Sequence, residues 1–452
     1  MSAPTTTDAA TTDAATTDAA TTDTVTTAAA STDTATTAAA STGAERSAPV
    51  VTGIGVIAPN GLDTESWWRA TLSGEHGIRT VEDYDASSYP TTLVGRITGF
   101  DAAEHLPGRL LPQTDRVTRL ALTAADRALA ESGADLEAMP EYGMGVVTSN
   151  ATGGFEFTHR EIRKLWTEGP QRVSVYESFA WFYAVNTGQI SIRKGLRGPS
   201  GVLVGEQAGG LDAIGHACRT LRAGGVLSVT GGVESALDPW GLVAHIASGR
   251  LSRATDPRAA YLPFDTRAAG YVPGEGGAVL VLEDAGSAAA RGATAYGEIA
   301  GYGATFDPKP GSGRPPGLGR AARTALEQAG VTPGEVDVVF ADAAAVPELD
   351  DAEAAAVEEI FGPYGVPVTA PKTLTGRLTG GGPPLDVAAA LLAIRDGVLP
   401  PTFHIERPVA RHRLDLVRDV PREARVRTAL VLARGYGGFN AAVVVRAPRS
   451  AR

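Results

Sequence analysis

The stretch Pro199-Ser-Gly-Val-Leu-Val-Gly-Glu206-Gln207-Ala-Gly-Gly-Leu211-Asp212-Ala213 reads as a strand, a sharp turn and the start of a helix. The apolar run Gly201 to Val204 is strand-like, and small residues open the helix that follows. In that helix Leu211, Ile214, Cys218 and Leu221 recur at helical spacing, so one face is apolar. A turn of this kind is a nucleophile elbow: it aims its apex side chain at the positive end of the helix and at free backbone N–H groups. The apex residue is Gln207. A glutamine amide is neither acidic nor nucleophilic, so it forms no acyl-enzyme, although it donates and accepts hydrogen bonds. Cys218, the one thiol of the chain, falls in mid-helix on the apolar stripe. A reactive thiolate needs a helix N-terminus or a cationic neighbour, so Cys218 reads as a core residue.

Working outward, Val50 to Ile57 is the nearly continuous apolar run of a strand covered on both faces. Asp115 to Ser132 carries Val117, Leu120, Ala121, Ala125 and Leu129 at helical spacing, with Gly133 as the stop. Strands are expected at Tyr142 to Thr148, Val226 to Thr230 and Gly277 to Leu282. The alternation resumes after about residue 295, with a helix over Leu318 to Ala329 and strands at Val336 to Phe340, Val426 to Leu432 and Ala441 to Val445. Two α/β units in tandem, residues 48–294 and 295–449, are the economical interpretation. Residues 1–47 are different material. TTDAA stands at residues 6–10, 11–15 and 16–20, and two Thr/Ala-rich repeats follow. Nearly devoid of bulky apolar side chains, this tail is expected to be disordered.

The single cysteine excludes a disulfide scaffold and fits a reducing cytoplasm. A net charge of -11 argues against a nucleic-acid surface, and no stretch reaches the length of a membrane span. The seven histidines show neither HExxH nor paired metal spacing, so no metal site is expected. Gly53-Ile-Gly55-Val-Ile-Ala58 imitates a dinucleotide fingerprint, but Pro59-Asn60-Gly61 stands where the phosphate-binding helix would begin. Gly435-Tyr-Gly-Gly-Phe-Asn440 lacks a following Gly-Lys-Ser/Thr and reads as a tight bend between strands.

At the elbow the chain resembles the ketosynthase family of the thiolase fold, most closely the chain-length factors (β subunits) of aromatic type II polyketide synthases. The resemblance extends over everything after the tail and implies paired α/β halves layered α-β-α-β-α. An active member carries its cysteine at the position of Gln207. The family's first catalytic histidine aligns with Asp342 in Val339-Phe-Ala-Asp342-Ala-Ala344, and its second with Arg377 in Pro371-Lys372-Thr-Leu-Thr-Gly-Arg377. Lys372 and Glu353 are retained. Decarboxylative condensation needs a thiolate to carry the chain and imidazoles to assist at the developing enolate, so this chain is expected not to condense. Asp342 and Arg377 are expected to pair as a buried salt bridge filling the former site.

The resemblance further implies a heterodimer with an active ketosynthase α subunit. The growing poly-β-ketide would be delivered on the phosphopantetheine arm of acyl carrier protein, with no cofactor of the chain's own. Phe155, Thr158 and Ile162 share one helix face. Spacing alone makes them a core stripe, whereas the resemblance makes them the lining of the tunnel that stops elongation, at an octaketide to a decaketide. Tyr436 and Phe439 lie in what the resemblance makes a gating loop. Two other readings stand beside this one. Gln207 could support malonyl decarboxylation for priming, or the chain could be a purely structural assembly subunit.

Overall fold

The computed structural model describes residues 48–309 and 311–448, so the expectation for the tail, residues 1–47, lies outside the described residues. The principal elements, in chain order, are β1 (Val50–Ile57), α1 (Arg116–Ser132), β2 (Met144–Ser149), α2 (Phe155–Glu168) and α3 (Val185–Lys194). Then follow β3 (Gly201–Leu203), α4 (Ala208–Arg222), β4 (Leu227–Glu234), α5 (Pro239–Ala247) and β5 (Gly276–Glu283). The second half has β6 (Gly297–Phe306), α6 (Leu318–Ala329), β7 (Val338–Phe340), α7 (Pro347–Phe361) and β8 (Pro367–Thr369). It ends with α8 (Gly382–Asp396), β9 (Asp415–Leu416), β10 (Thr428–Arg434) and β11 (Phe439–Arg446). The expected elements are all present, and the helix boundaries carry their chemistry. Asp115 caps α1 by accepting the Val117 N–H, and Gly133 closes it in the left-handed conformation at φ 60°.

The strands form a sheet of 11 in the order β9-β8-β7-β10-β11-β6-β1-β5-β4-β2-β3. The two α/β halves are therefore joined in one sheet, through the antiparallel pairs Val50↔Glu298 and Val51↔Gly297 of β1 and β6. Outward from that seam the halves repeat each other. β1 and β6 each pair with an antiparallel neighbour, β5 and β11, which pair antiparallel with β4 and β10. The next two steps on each side are parallel, to β2 and β3 and to β7 and β8.

Helices α4 and α8 pack between the half-sheets, α4 against β4 and β11, α8 against β5 and β10. α1 covers the outside of one half and α6 the outside of the other, giving the α-β-α-β-α layering. α8 is buried without a break from Gly382 to Ala393, as a helix enclosed on every side must be. Cys218 is buried on α4 in the same central layer.

The glycines that imitate a nucleotide fingerprint have a packing role. A Cβ on Gly53 would stand 2.1 Å from the Ala128 carbonyl oxygen, and one on Gly55 1.9 Å from that of Ala124, both on α1. The second half repeats the device: Cβ atoms on Gly301 and Gly303 of β6 would meet the carbonyl oxygens of Ala325 and Ala321 on α6 at 2.1 and 2.2 Å. Each half thus seats its outer helix directly on strand backbone, where no side chain fits. Gly55→Ala and Gly303→Ala are each expected to destabilise the protein by about 3 kcal/mol, because the obstructing atom is backbone and cannot turn aside. Urea denaturation of both variants measures the cost and tests whether the two halves respond alike.

Candidate functional site

β3 leads into the elbow, where Glu206 takes φ 50°, a left-handed conformation that is uncommon for a residue with a side chain. Gln207 follows at the head of α4 and is fully buried. Its Nε2 donates to Asp342 Oδ1 at 3.2 Å, while its Oε1 meets no donor among the described residues. Asp342 comes from the turn after β7, where Ala343 and Ala345 also hold positive φ. Glu353 of α7 fixes that turn by accepting the backbone N–H groups of Asp342 and Ala343 at 2.7 and 2.9 Å.

Arg377 arrives from the loop before α8. Its Nη2 donates to Asp342 Oδ1 at 3.1 Å and to the Arg434 carbonyl at 2.5 Å, so the expected buried salt bridge is present. Sequence reasoning did not foresee the rest of the network. Arg434, at the end of β10, donates its backbone N–H to Asp342 Oδ1 at 2.9 Å and its Nη2 to Glu353 at 3.1 Å. Lys372 Nζ donates to the Ala341 carbonyl at 2.5 Å and pairs with Asp386 of α8 at 2.7 Å. The available signals were slight: an arginine just ahead of a glycine-rich turn, and Asp386 alone among the apolar residues from Leu385 to Ile394.

Electrically the cluster is close to balanced. Burial pushes the Asp342 carboxyl up, but the guanidinium groups of Arg377 and Arg434 and the Lys372 ammonium outweigh it and hold the pKa well below the usual carboxylate range. Burial raises Glu353, helped by the Asp342 charge, and lifts Asp386 to about 6 against the pull of Lys372. Burial would lower Arg377, yet Asp342 and Glu206 keep it firmly charged. The space left beside Gln207, Lys372, Arg377 and Asp386 is about 10 Å³, room for one water. One N–H of the Gln207 amide serves Asp342, whose carboxylate accepts and offers no donor of its own.

Helix α2 presents a different face from a core stripe. Its buried residues are Phe157 and Glu161, whereas Phe155 and Thr158 are half-buried and Ile162 is 38% exposed. Phe155 stacks on Trp240 of α5 with ring centroids 4.9 Å apart and planes 11° apart. It lines an apolar cavity of about 520 Å³ together with Val204, Glu206, Tyr271, Tyr436 and Phe439. The structure thus brings Phe155 together with Tyr436 and Phe439, while Thr158 and Ile162 lie farther along the helix, outside that cavity. Exposed aromatic side chains continue from there: Trp166 is 82% exposed, and Trp181, Phe182 and Tyr183 follow. Such a concentration of exposed apolar surface marks an interaction face.

Residues 48–288 match the β-ketoacyl synthase N-terminal domain and residues 296–406 the β-ketoacyl synthase C-terminal domain. The tetracenomycin polyketide synthase ketoacyl synthase β subunit of Streptomyces glaucescens is 62% identical over 396 residues, covering 87% of this chain and 97% of the relative. The chain belongs to the β-ketoacyl synthase family. Among solved structures, the ishigamide ketosynthase/chain length factor superposes with a TM-score of 0.82 at 24% identity, covering 89% of this chain and all of that one. A type II polyketide synthase acyl-carrier protein in complex with its ketosynthase gives a TM-score of 0.81 at 22% identity, over 89% of this chain and 100% of the matched one. At these identities the likeness of both structures is one of fold, and the fold is that of the thiolase-like synthases.

Burial pushes the Cys218 thiol up to about 12, so it is expected to resist iodoacetamide at pH 8 in the native protein and to react on unfolding, as read by intact mass. Asp342→Ala leaves Arg377 and Arg434 buried without their carboxylate and is expected to cost about 3–5 kcal/mol in chemical denaturation.

Proposed function

We propose that this chain is the non-condensing, chain-length-setting subunit of a two-subunit ketosynthase that builds the poly-β-keto precursor of an aromatic polyketide. The observation that carries this reading is the polar cluster at the elbow, where Gln207 and Arg377 are both bonded to Asp342 at the three chemistry-bearing positions. Such a site has no nucleophile, no proton shuttle and no space for substrate. The name of the Streptomyces glaucescens relative, a ketoacyl synthase β subunit, supports a place beside an active α subunit. The exposed aromatic face beyond α2 supports an extensive partner contact, because surface of that kind is seldom left to water.

In this reading condensation belongs to the partner. Its cysteine thiolate carries the growing chain as a thioester. A malonyl unit on the phosphopantetheine arm of acyl carrier protein loses carbon dioxide, and the resulting enolate forms the new carbon–carbon bond as the acyl–sulfur bond breaks. This chain contributes walls: Phe155 on α2, with Tyr436 and Phe439 from the gating loop, bounds the cavity where growth begins, and Thr158 and Ile162, farther along α2 and outside that cavity, bound its continuation against the partner. Enclosure keeps the ketones from premature aldol chemistry, and side-chain bulk sets the stopping point at an octaketide to a decaketide. The chain needs no cofactor or metal of its own, and the complex works in the cytoplasm. No helix among the described residues is long and apolar enough to cross a membrane.

Reconstitution of this subunit with a cognate ketosynthase, acyl carrier protein and malonyl donor is expected to yield full-length product from the pair and none from either subunit alone. Phe155→Ala and Ile162→Gly are expected to lengthen the product by at least one ketide unit in its mass spectrum. An unchanged product length in both variants would overturn the assignment of α2 as the tunnel wall.

A further inference from the structure

The elbow and the glycine-rich turn Gly435–Asn440 are built against each other. At Gly435 the backbones meet so closely that a Cβ would stand 2.2 Å from the Gly205 carbonyl oxygen. From the left-handed position just before the apex of the elbow, Glu206 sends its carboxylate across this contact to accept the Tyr436 backbone N–H at 2.9 Å. The other carboxylate oxygen lies 3.8 Å from Arg377 Nε. Arg377 returns to the root of the same turn by donating to the Arg434 carbonyl, and Asp342 accepts the Arg434 N–H. Side chains of the elbow and of the two replaced histidine positions therefore hold both polar backbone groups of Arg434 and the N–H of Tyr436.

The turn needs such holding. Gly437 and Gly438 take φ values of 88° and 106°, Gly435 precedes them, and chain of this composition has many conformations open to it. Burial does not fix it either, since Tyr436 is 58% exposed. Its far side is tied by the Gly435 N–H donated to the Phe439 carbonyl at 2.9 Å, by the Asp307 N–H and the Asn440 Nδ2 donated to the Gly438 carbonyl at 2.8 and 3.0 Å, and by the Phe306 ring against Phe439, whereas Tyr436 itself has the Glu206 carboxylate and the Arg250 guanidinium 4.8 Å above its ring. Yet Tyr436 and Phe439 line the cavity that Phe155 also lines, so the position of this turn sets the shape of that space.

We infer that Glu206, backed by Arg377 and Asp342, clamps the Gly435–Phe439 turn and is a positioning residue for chain length. The elbow that lost its nucleophile serves as the anchor of the cavity wall. The inference rests on the proposed function and adds a determinant that touches no catalytic group. A loosened turn lets Tyr436 and Phe439 move and blurs the stopping point. Loss of general stability lowers yield without changing the ratio of products.

The test uses the reconstituted heterodimer with Glu206→Ala, Glu206→Gln and Phe155→Ala, reading both total product and the ratio of off-length to main product by mass spectrometry. The expected result is a rise of at least fivefold in that ratio for Glu206→Ala. Glu206→Gln, whose amide oxygen still accepts the Tyr436 N–H, is expected to restore most of the wild-type ratio. A wild-type ratio in Glu206→Ala, at full or reduced yield, overturns the clamp. If Phe155→Ala still changes length, only the clamp fails; if neither variant does, the tunnel reading fails with it. Should Glu206→Ala not assemble, amide exchange in a Glu206→Met heterodimer, which keeps the side-chain bulk but offers the Tyr436 N–H no oxygen, decides. The clamp requires at least tenfold faster exchange at Tyr436, with β10 unchanged, and an unaltered rate overturns it.

Discussion

The contact between the Asp342 carboxylate and the guanidinium of Arg377 is the constraint on which the rest of the site depends. Both groups are buried, and a lone charge there would be untenable. Pairing alone would not suffice, because desolvating two ions can cost more than their attraction returns. The chain meets that requirement by saturating the pair. Arg434 and the Gln207 amide add further donors to Asp342, while Glu353 takes up the Arg434 guanidinium and Asp386 the Lys372 ammonium, until about one water's volume is left beside the cluster. The position that a nucleophile elbow would offer to a substrate is here a polar core.

That polar core joins elements from both halves: Gln207 from the first, and Asp342, Arg377 and Arg434 from the second. The duplication makes this possible. Each half places its outer helix on its first strand through a pair of glycines and turns its inner face toward the central layer of α4 and α8. The elbow at the head of α4 and the turn after β7 consequently meet in the middle of the molecule. The same meeting point adjoins the glycine-rich turn and, through it, the cavity lined by Phe155. The polar cluster and the wall of the cavity are in this way physically connected through the glycine-rich turn.

Much of this was legible in the sequence because it depends on local rules. The caps of α1 at Asp115 and Gly133, the apolar run of β1, the helical spacing that buries Cys218 and the absence of a nucleophile at Gln207 each need only a few neighbouring residues to be read. The face of α2 was not legible. Phe155, Thr158 and Ile162 have the spacing of a core stripe, and only the packed helix reveals that Phe157 and Glu161 point inward instead. Gly53 and Gly55 were equally mute as to cause: the motif excluded a nucleotide, but the carbonyls that forbid a Cβ lie some seventy residues away on α1.

The sequence by itself determined the fold class, the alternation of strands and helices and the glutamine at the elbow, because periodicity and side-chain identity are properties of the chain whatever surrounds them. Tertiary structure alone decided which ions share a partner, which helix face is left open and which turn is held by the former active site. Those outcomes depend on distances between residues far apart in the chain. Arg434, Asp386 and Glu206 acquired their roles only when the central layer closed around them.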